Sequence, residues 1–262
     1  MPHIPDRIRL DGKVAVVTGA AGVIGTATMR LLAERGARVV AIDRREQDLQ
    51  TAVKDLPASA QALAVTADVT DEDEVTAYVR AAVDKFGTID VFYNNAGIEG
   101  DVAPITKYSL QTFRRVIDVN VVGVFLGLKH VLPVMFKQNK GSIINTASIA
   151  GLFGSPEVAV YSASKHAVIG LTKSAALECT ATGVRVNCVC PGLTDSRMLS
   201  AIIEGRNPGN APVPNDKIVE RIPARRLGQA SEVASIVAFL ASDEASYVSG
   251  SAYTVDGGRT AS

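Results

Sequence analysis

The chain has 262 residues and carries 27 basic and 27 acidic side chains, so its charge is balanced. Aromatic residues make up only 5% of it and tryptophan is absent. These values exclude a basic or base-stacking surface for nucleic acid, and they favour one large α/β domain with a small-molecule partner.

Short β-branched runs alternate with longer helical stretches along the whole chain, which is the pattern of βα units. The pattern predicts one domain over residues 1–262, built on a doubly wound, seven-stranded parallel sheet with helices on both faces. The predicted strands are residues 14–18, 38–42, 62–66, 89–93, 142–146, 185–189 and 252–255. The predicted helices are residues 24–35, 72–86, 110–138, 158–182 and 232–241, with Asp71 and Ser231 as N-caps.

One connection differs from the others. Residues 196–226 are long and contain NPGNAPVPN, which is rich in proline, glycine and asparagine and unfavourable for regular structure. A long irregular segment after the sixth strand is typical of a lid over a substrate site, and a disordered surface insertion is the alternative.

The sequence also indicates a compartment. Residues 1–13 lack an apolar signal segment, and the longest apolar run, at 121–128, is shorter than the roughly 18 residues of a membrane span. Cys179, Cys188 and Cys190 form no metal or disulfide pattern, and His130 and His166 lack other ligands nearby. We therefore expect a soluble, cytoplasmic protein with reduced, buried cysteines, no metal and no membrane partner.

A glycine-rich turn follows the first strand and opens the first helix. Glycines are needed there because side chains would block the turn and the approach of a pyrophosphate to backbone N–H groups. An acidic residue about 20 positions later, at the end of the next strand, completes the signature of dinucleotide binding in a Rossmann fold. The predicted contacts of this turn are Gly19, Gly22, Val23, Ile24 and Gly25.

The acidic residue is Asp43, and it indicates which dinucleotide binds. A carboxylate there accepts hydrogen bonds from both ribose hydroxyls of NAD, whereas the 2′-phosphate of NADP would meet a like charge. Arg44 and Arg45 follow directly and offer a phosphate partner, so use of NADP stays open. We expect NAD, bound at Asp43 with Arg44 beside it.

Tyr161 and Lys165 stand four positions apart in a predicted helix, so both side chains leave from one face. A nearby ammonium favours the phenolate form and lowers the pKa of the phenol. Tyr161 is then the general base for alcohol oxidation and the general acid for carbonyl reduction. Ser148, after the fifth strand, is placed to hydrogen-bond the substrate oxygen.

With these motifs, the sequence resembles the short-chain dehydrogenase/reductase family over nearly its whole length. The resemblance implies that Asp68 and Val69 hold the adenine, and that residues 95–97 shape the cofactor floor. It also implies that Lys165 binds the nicotinamide ribose and that Asn120 supports a proton relay from it through a water. The further motifs are Asp68-Val69, Asn94-Asn95-Ala96-Gly97, Asn120, Asn187 and Val255-Asp256-Gly257-Gly258.

The segment after the sixth strand resembles the family's nicotinamide clamp. The resemblance implies that Pro191, Gly192 and Thr194 contact the cofactor, together with Ser196, which replaces the usual threonine. The positions beside the motifs predict a mostly apolar substrate pocket. Its predicted members are Ile98, Glu99, Ala150, Phe153, Leu193 and Met198, in addition to Ser148 and Tyr161, with Glu99 expected to be a solvated loop charge.

The glycine turn departs from the usual TGxxxGxG. Val23 occupies the middle glycine's position and Gly22 stands one residue earlier, which is similar to the family's longer branch of epimerases and dehydratases. Because little chain follows Lys165, we expect no second substrate domain and an oxidoreductase of ordinary length.

The predicted function is reversible hydride transfer between NAD and a secondary alcohol or ketone, in the direction of alcohol oxidation. A ketoacyl-thioester reductase and a non-catalytic dinucleotide-binding scaffold are the alternatives; Asp43 disfavours the first, and Tyr161 with Lys165 disfavours the second. The apolar helices at 110–138 and 158–182, with the family resemblance, imply a homotetramer.

Overall fold

The computed structural model describes residues 8–209 and 213–261. Parts of the predicted domain (residues 1–7 and 262) and of the predicted lid (residues 210–212) lie outside the described residues. In the described residues, seven parallel strands form one sheet in the order β3-β2-β1-β4-β5-β6-β7. The strands are β1 (Val14–Thr18), β2 (Arg38–Asp43), β3 (Ala62–Thr66), β4 (Val91–Asn94), β5 (Gly141–Thr146), β6 (Val184–Pro191) and β7 (Ala252–Val255).

Helices connect the strands and cover the sheet. In the described residues they are α1 (Val23–Glu34), α2 (Glu46–Lys54), α3 (Glu72–Phe86), α4 (Leu110–Ile117), α5 (Gly123–Gln138), α6 (Ala159–Cys179), α7 (Arg197–Arg206), α8 (Asn215–Val219) and α9 (Ala230–Ala241). One core packs α3, α5 and α6 against the sheet, and a second core packs α1, α2 and α9 against its other face. The predicted doubly wound Rossmann architecture is confirmed.

Strand β1 explains why the central strands are apolar throughout. Its successive side chains alternate between the two faces, so Val14 and Val16 enter one core while Ala15 and Val17 enter the other. All four are fully buried. A strand covered on both faces has no solvent side, and it therefore reads as a continuous hydrophobic run.

The strand order reverses at β1, which pairs with β2 on one side and with β4 on the other. The connections leaving β1 and β4 therefore run to opposite faces of the sheet and leave a crevice beyond the carboxyl ends of these strands. In open α/β sheets this crevice is where ligands bind.

The helix predicted at residues 110–138 is continuous but irregular. A π-helical turn, Asp118–Val122, separates α4 from α5, and Asn120 lies fully buried within it. A π turn widens the helix by one residue per hydrogen bond and often marks a functional site. Here the turn contains a fully buried polar side chain.

One of the two predicted helix N-caps was wrong. Ser231 is not the N-cap of α9, because the helix begins at Ala230 and Gln229 caps it. Glu232 completes this cap by accepting the backbone N–H of Gln229 at 2.8 Å. Asp71 does cap α3, as predicted. Helix α2 was not predicted, and the remaining element bounds differ only near their ends.

The segment 196–226 was predicted to be irregular, and this prediction was wrong for much of it. It contains α7 and α8. Ser196 starts α7 as an N-cap, accepting the backbone N–H of Leu199 at 3.2 Å. The segment therefore places ordered side chains over the crevice.

One helical stretch of the described residues, Leu110–Gln138, is long and apolar enough to cross a membrane by length and composition alone. The apolar side chains of α5 explain this composition, since Leu128, Val131 and Met135 are buried in the core against the sheet. A core helix passes the same test, so the stretch is weak evidence for a membrane span.

Candidate active site

A cavity of about 1050 Å³ opens beyond the carboxyl ends of the strands. Its wall contains all the residues that the sequence predicted for cofactor and substrate contacts. Among the predicted catalytic residues, Ser148, Tyr161 and Lys165 line the cavity, whereas Asn120 lies behind the wall with no exposed surface. The predicted residues that meet there are Gly19, Gly22, Val23, Ile24, Gly25, Asp43, Arg44, Asp68, Val69, Asn95, Ala96, Gly97, Ile98, Glu99, Ser148, Ala150, Phe153, Tyr161, Lys165, Pro191, Gly192, Leu193, Thr194, Ser196 and Met198.

The turn between β1 and α1 is closed by its own backbone. Gly19 has φ of +62° and accepts the N–H of Gly22 at 3.0 Å. A Cβ at Gly25 would lie 2.2 Å from the carbonyl oxygen of Gly19, so a side chain is excluded there. Val23 is the first residue of α1 and its side chain is half-exposed. The valine that replaces the middle glycine therefore leaves the approach to the N-terminus of α1 open.

Asp43 ends β2 beside this turn. One carboxylate oxygen accepts the N–H of Ala21 at 3.1 Å, and the other accepts the N–H of Arg45 at 3.1 Å. The Nε of Arg45 lies 3.4 Å from the same oxygen. These contacts fix a nearly buried carboxylate at the edge of the cavity, next to the glycine turn.

The floor of the cavity joins the ends of three strands. Asn95 donates its side-chain N–H to Thr18 O at 3.1 Å, and its side-chain oxygen accepts the hydroxyl of Thr146 at 3.1 Å. A Cβ on Gly19 would lie 2.9 Å from the Cα of Ala96, so glycine is required where these chains cross. These contacts tie the ends of β1, β4 and β5 to one another at the floor of the cavity.

Tyr161 and Lys165 stand one turn apart on α6, and both are nearly buried. The Nζ of Lys165 lies 5.6 Å from the centre of the Tyr161 ring and donates to Thr146 O at 2.8 Å. The backbone of β5 thus holds the ammonium beneath the phenol.

Burial controls the protonation of this pair. It raises the pKa of Tyr161 to about 12, because loss of water disfavours the phenolate. A hydrogen bond with Ser148 lowers this pKa, and the charge of Glu99 raises it further. Burial also lowers the pKa of Lys165 to about 8. Desolvation is therefore the largest influence on the pKa of Tyr161 in this structure, and the lowering of this pKa by the ammonium stays a prediction.

Ser148 joins β5 to β6 at the rim of the site. Its side chain caps a short 3₁₀ turn, Ile149–Gly151, by accepting the N–H of Ala150 at 3.1 Å. Its hydroxyl donates to Pro191 O at 3.5 Å, which is a long hydrogen bond. The hydroxyl therefore has a weak protein acceptor that a substrate oxygen can replace.

Asn120 reaches the site through two neighbours. Its amide bonds both backbone groups of Ile98, accepting the N–H at 2.8 Å and donating to the carbonyl at 2.9 Å. It also donates to the hydroxyl of Ser164 at 3.0 Å, and Ser164 in turn donates to the backbone carbonyl of Tyr161 at 2.7 Å. A Cβ at Gly97 would lie 3.3 Å from both Asn120 and Lys165.

Sequence reasoning did not identify Ser164. Its position three residues after Tyr161 and next to Lys165 is a signal that it shares their part of the helix. What the sequence does not reveal is its partner, because Asn120 is 44 positions away.

The predicted clamp after β6 is ordered. Thr194 is nearly buried, and its carbonyl accepts the hydroxyl of Ser196 at 3.1 Å. That hydroxyl also caps α7. A contact of Ser196 with a carboxamide, as the family resemblance implies, stays a prediction.

The substrate side of the cavity is apolar close to Tyr161, which packs in a cluster with Ala150 and Val158. Glu99 was expected to be solvated, and this was wrong. Its side chain is only 12% exposed and forms an ion pair with Arg197 at 3.2 Å. The lid helix α7 brings this partner to it.

Comparisons with known proteins agree with this geometry. A family model described as Enoyl-(Acyl carrier protein) reductase matches residues 19–260. Levodione reductase of Leifsonia aquatica is 38% identical over 97% of this chain and 96% of its own. Cis-4-hydroxycyclohexanecarboxylate dehydrogenase of Sinomonas cyclohexanicum is 44% identical over 95% of this chain and 97% of its own. The crystal structure of an NAD+-bound xylitol dehydrogenase superposes with a TM-score of 0.92, at 38% identity, over 95% of this chain and 99% of that chain.

The chain therefore belongs to the short-chain dehydrogenase/reductase family, as its motifs predicted. It is an oxidoreductase that acts on CH–OH groups with a nicotinamide dinucleotide.

Proposed function

We propose that the protein oxidises secondary alcohols to ketones with NAD, reversibly. The observation that carries this proposal is a single cavity that joins the glycine turn and Asp43 at one end to Tyr161 and Lys165 at the other. Relatives named for levodione and for a hydroxycyclohexanecarboxylate support cyclic secondary alcohols and ketones as substrates. The largely oxidised NAD pool of cells favours the direction of alcohol oxidation.

The residues fit a bound dinucleotide. Glycines 19 and 25 allow the turn to close tightly beside the cavity, and the N-terminus of α1 lies at the cavity wall, where the first N–H groups of a helix have no intrahelical partner. Asp43 would hold the adenosine ribose, and Lys165 the nicotinamide ribose. When bound, the dinucleotide supplies the hydride acceptor and a positive ring beside Tyr161.

Side chains of the protein would then accept the proton of the alcohol and orient its hydroxyl group. The phenol oxygen of Tyr161 accepts the hydroxyl proton of the alcohol. Ser148 donates a hydrogen bond to the oxygen of the alcohol. Lys165, fixed by Thr146 O, supports the phenolate electrostatically. Asn120 holds the loop after β4 against α6 through Ser164. It therefore positions the catalytic helix in addition to supporting the proton relay from Lys165.

The experiment that tests this function is a panel of cyclic and open-chain secondary alcohols assayed with NAD and with NADP. We expect reduced nicotinamide to form with NAD and cyclic alcohols, and we expect Tyr161→Phe to abolish it. Absence of turnover across the panel, with dinucleotide binding intact, would favour a non-catalytic binding role.

The Asp43→Ala variant should change the choice of cofactor. Removing the carboxylate relieves its repulsion of a 2′-phosphate, which is about 4 kcal/mol at an effective dielectric of 20 before screening by salt. Arg44 and Arg45 remain next to position 43. We expect the ratio of kcat/KM for NADP to that for NAD to rise on the order of 100-fold. Asp84→Ala, exposed on α3, is the matched control. An unchanged ratio in Asp43→Ala would mean that other groups set the preference.

Ser164→Ala should lower kcat without a comparable loss of NAD affinity. The change removes the hydrogen bond that ties Asn120 to α6 and a second one within α6, from Ser164 to the backbone carbonyl of Tyr161, each worth about 1 kcal/mol. We expect kcat to fall about tenfold, with a shift in its pH profile because Asn120 no longer holds the loop after β4 against the helix that carries the phenol and the ammonium. Ser162→Ala is the control, since that buried hydroxyl has no hydrogen-bond partner in the described residues. Equal effects in the two variants would indicate general destabilisation only.

The proposal includes a homotetramer in the cytoplasm. Phe113 of α4 and Phe125 and Phe136 of α5 are exposed large hydrophobic side chains, which supports burial of these helices against another subunit. Three free, buried cysteines suit a reducing compartment. Light scattering measures the assembly directly.

A further inference from the structure

The outer half of the cavity is lined by one face of α7. Met198, Ile202 and Arg206 follow one another at intervals of four residues, and all three line the cavity. That spacing places them on one side of the helix. The face changes from apolar to cationic along the helix, with a rise of about 12 Å between Met198 and Arg206.

The inner part of this face suits an apolar body. Met198 and Ile202 pack against the cluster that contains Ala150, Val158 and Tyr161. A substrate whose hydroxyl reaches Tyr161 must therefore place its carbon skeleton against these side chains, where hydrocarbon is favoured over polar groups.

Arg206 is held at the outer end of this apolar wall. It donates to the hydroxyl of Ser155 at 3.0 Å and to Pro156 O at 3.1 Å, and its Nε lies 3.8 Å from the carboxylate of Glu157. These contacts orient the guanidinium and use only part of its five donors. An arginine fixed in this way is suited to bind a carboxylate.

Three further cations line the same cavity. Lys217 and Arg221 line the cavity, and neither forms an ion pair with the described part of the chain. Arg259 also lines it and donates to Arg221 O at 2.9 Å. The carboxylates on this side are Glu99 and Glu157, which are paired with Arg197 and Arg206, and Asp101. The opening therefore has an excess of positive charge, which attracts an anion.

We infer that the alcohol substrate carries a carboxylate at the end of an apolar ring or chain, and that Arg206 and Lys217 bind this carboxylate. The inference rests on the proposed alcohol oxidation, because the hydroxyl end must lie at Tyr161. A charge at the far end of the substrate then determines specificity. The apolar wall between the two ends sets the length of the substrate.

The test compares 4-hydroxycyclohexanecarboxylate with its primary amide, which has the same shape and no charge. Homologues with one and two methylenes before the carboxylate or amide probe the distance. With saturating NAD, we expect kcat/KM for the best carboxylate to exceed that for the matched amide by about tenfold or more. The difference should lie in KM and shrink at high salt.

Charge-removing variants identify the binding groups. Arg206→Gln and Lys217→Gln should each lower the ratio of carboxylate to amide activity towards one, and Arg206→Lys should keep part of it. Lys85→Gln, exposed on α3, should leave the ratio unchanged. Because Arg206 also contacts Ser155 and Pro156, Lys217→Gln carries the test if Arg206→Gln does not fold.

The outcomes separate this inference from the proposed function. Equal activity on carboxylate and amide would overturn the carboxylate site and leave alcohol oxidation intact. Absence of turnover for every compound would overturn both. A higher KM for NAD in Lys217→Gln, with the carboxylate preference unchanged, would assign that cation to the cofactor and overturn its role here.

Discussion

Tyr161→Phe is expected to lower kcat for alcohol oxidation by about 10³-fold or more. The phenol of Tyr161 lines the cavity next to the apolar wall and interacts with Ser148, so its oxygen is placed to accept the hydroxyl proton of the alcohol. General acid–base groups contribute about 10² to 10⁴ to a rate, and phenylalanine keeps the ring packing while it removes the proton acceptor.

The control for this variant is NADH binding measured by fluorescence, which should be unchanged within a few-fold. Tyr247→Phe, at an exposed tyrosine, should keep full activity. A Tyr161→Phe enzyme with more than about a tenth of the wild-type kcat would show that another group accepts the proton.

Lys165→Met is expected to lower kcat by about 10²- to 10³-fold and to weaken NAD binding. The variant keeps the length of the side chain but removes a buried ammonium held by Thr146 O, so the phenolate loses its adjacent positive charge. The pH at which oxidation becomes fast should therefore rise.

Lys173→Met, at an exposed lysine two turns further along α6, is the matched control and should behave as the wild type. If Lys165→Met kept the wild-type pH profile, the ammonium would have no electrostatic role in the proton transfer, and only its cofactor contact would remain to explain a loss of activity.

The sequence predicted those parts of the molecule that local patterns determine. The strands are continuous apolar runs, the glycine turn requires glycine at 19 and 25, and Tyr161 with Lys165 shares a helix face at a fixed spacing. Each of these depends on neighbours within a few residues, so a single sequence is sufficient to find them.

The parts that the sequence did not predict depend on distant contacts. Asn120 bonds the backbone of Ile98, 22 positions away, and Glu99 pairs with Arg197 across 98 positions. The pKa of Tyr161 depends on burial by elements that are remote in the chain. Helix α7 was missed because proline and glycine dominate the segment that follows it.

The central claim is that Tyr161 becomes a proton acceptor near neutral pH once a positively charged nicotinamide ring lies beside the buried pair. An ultraviolet difference titration of wild type against Tyr161→Phe, with and without NAD, measures this directly. Without NAD, burial keeps the pKa of Tyr161 near 12, and no tyrosinate from it is expected below about pH 10. With saturating NAD, we predict that its tyrosinate signal appears at a markedly lower pH. A titration unchanged by NAD, in an enzyme that turns over alcohol, would contradict the account.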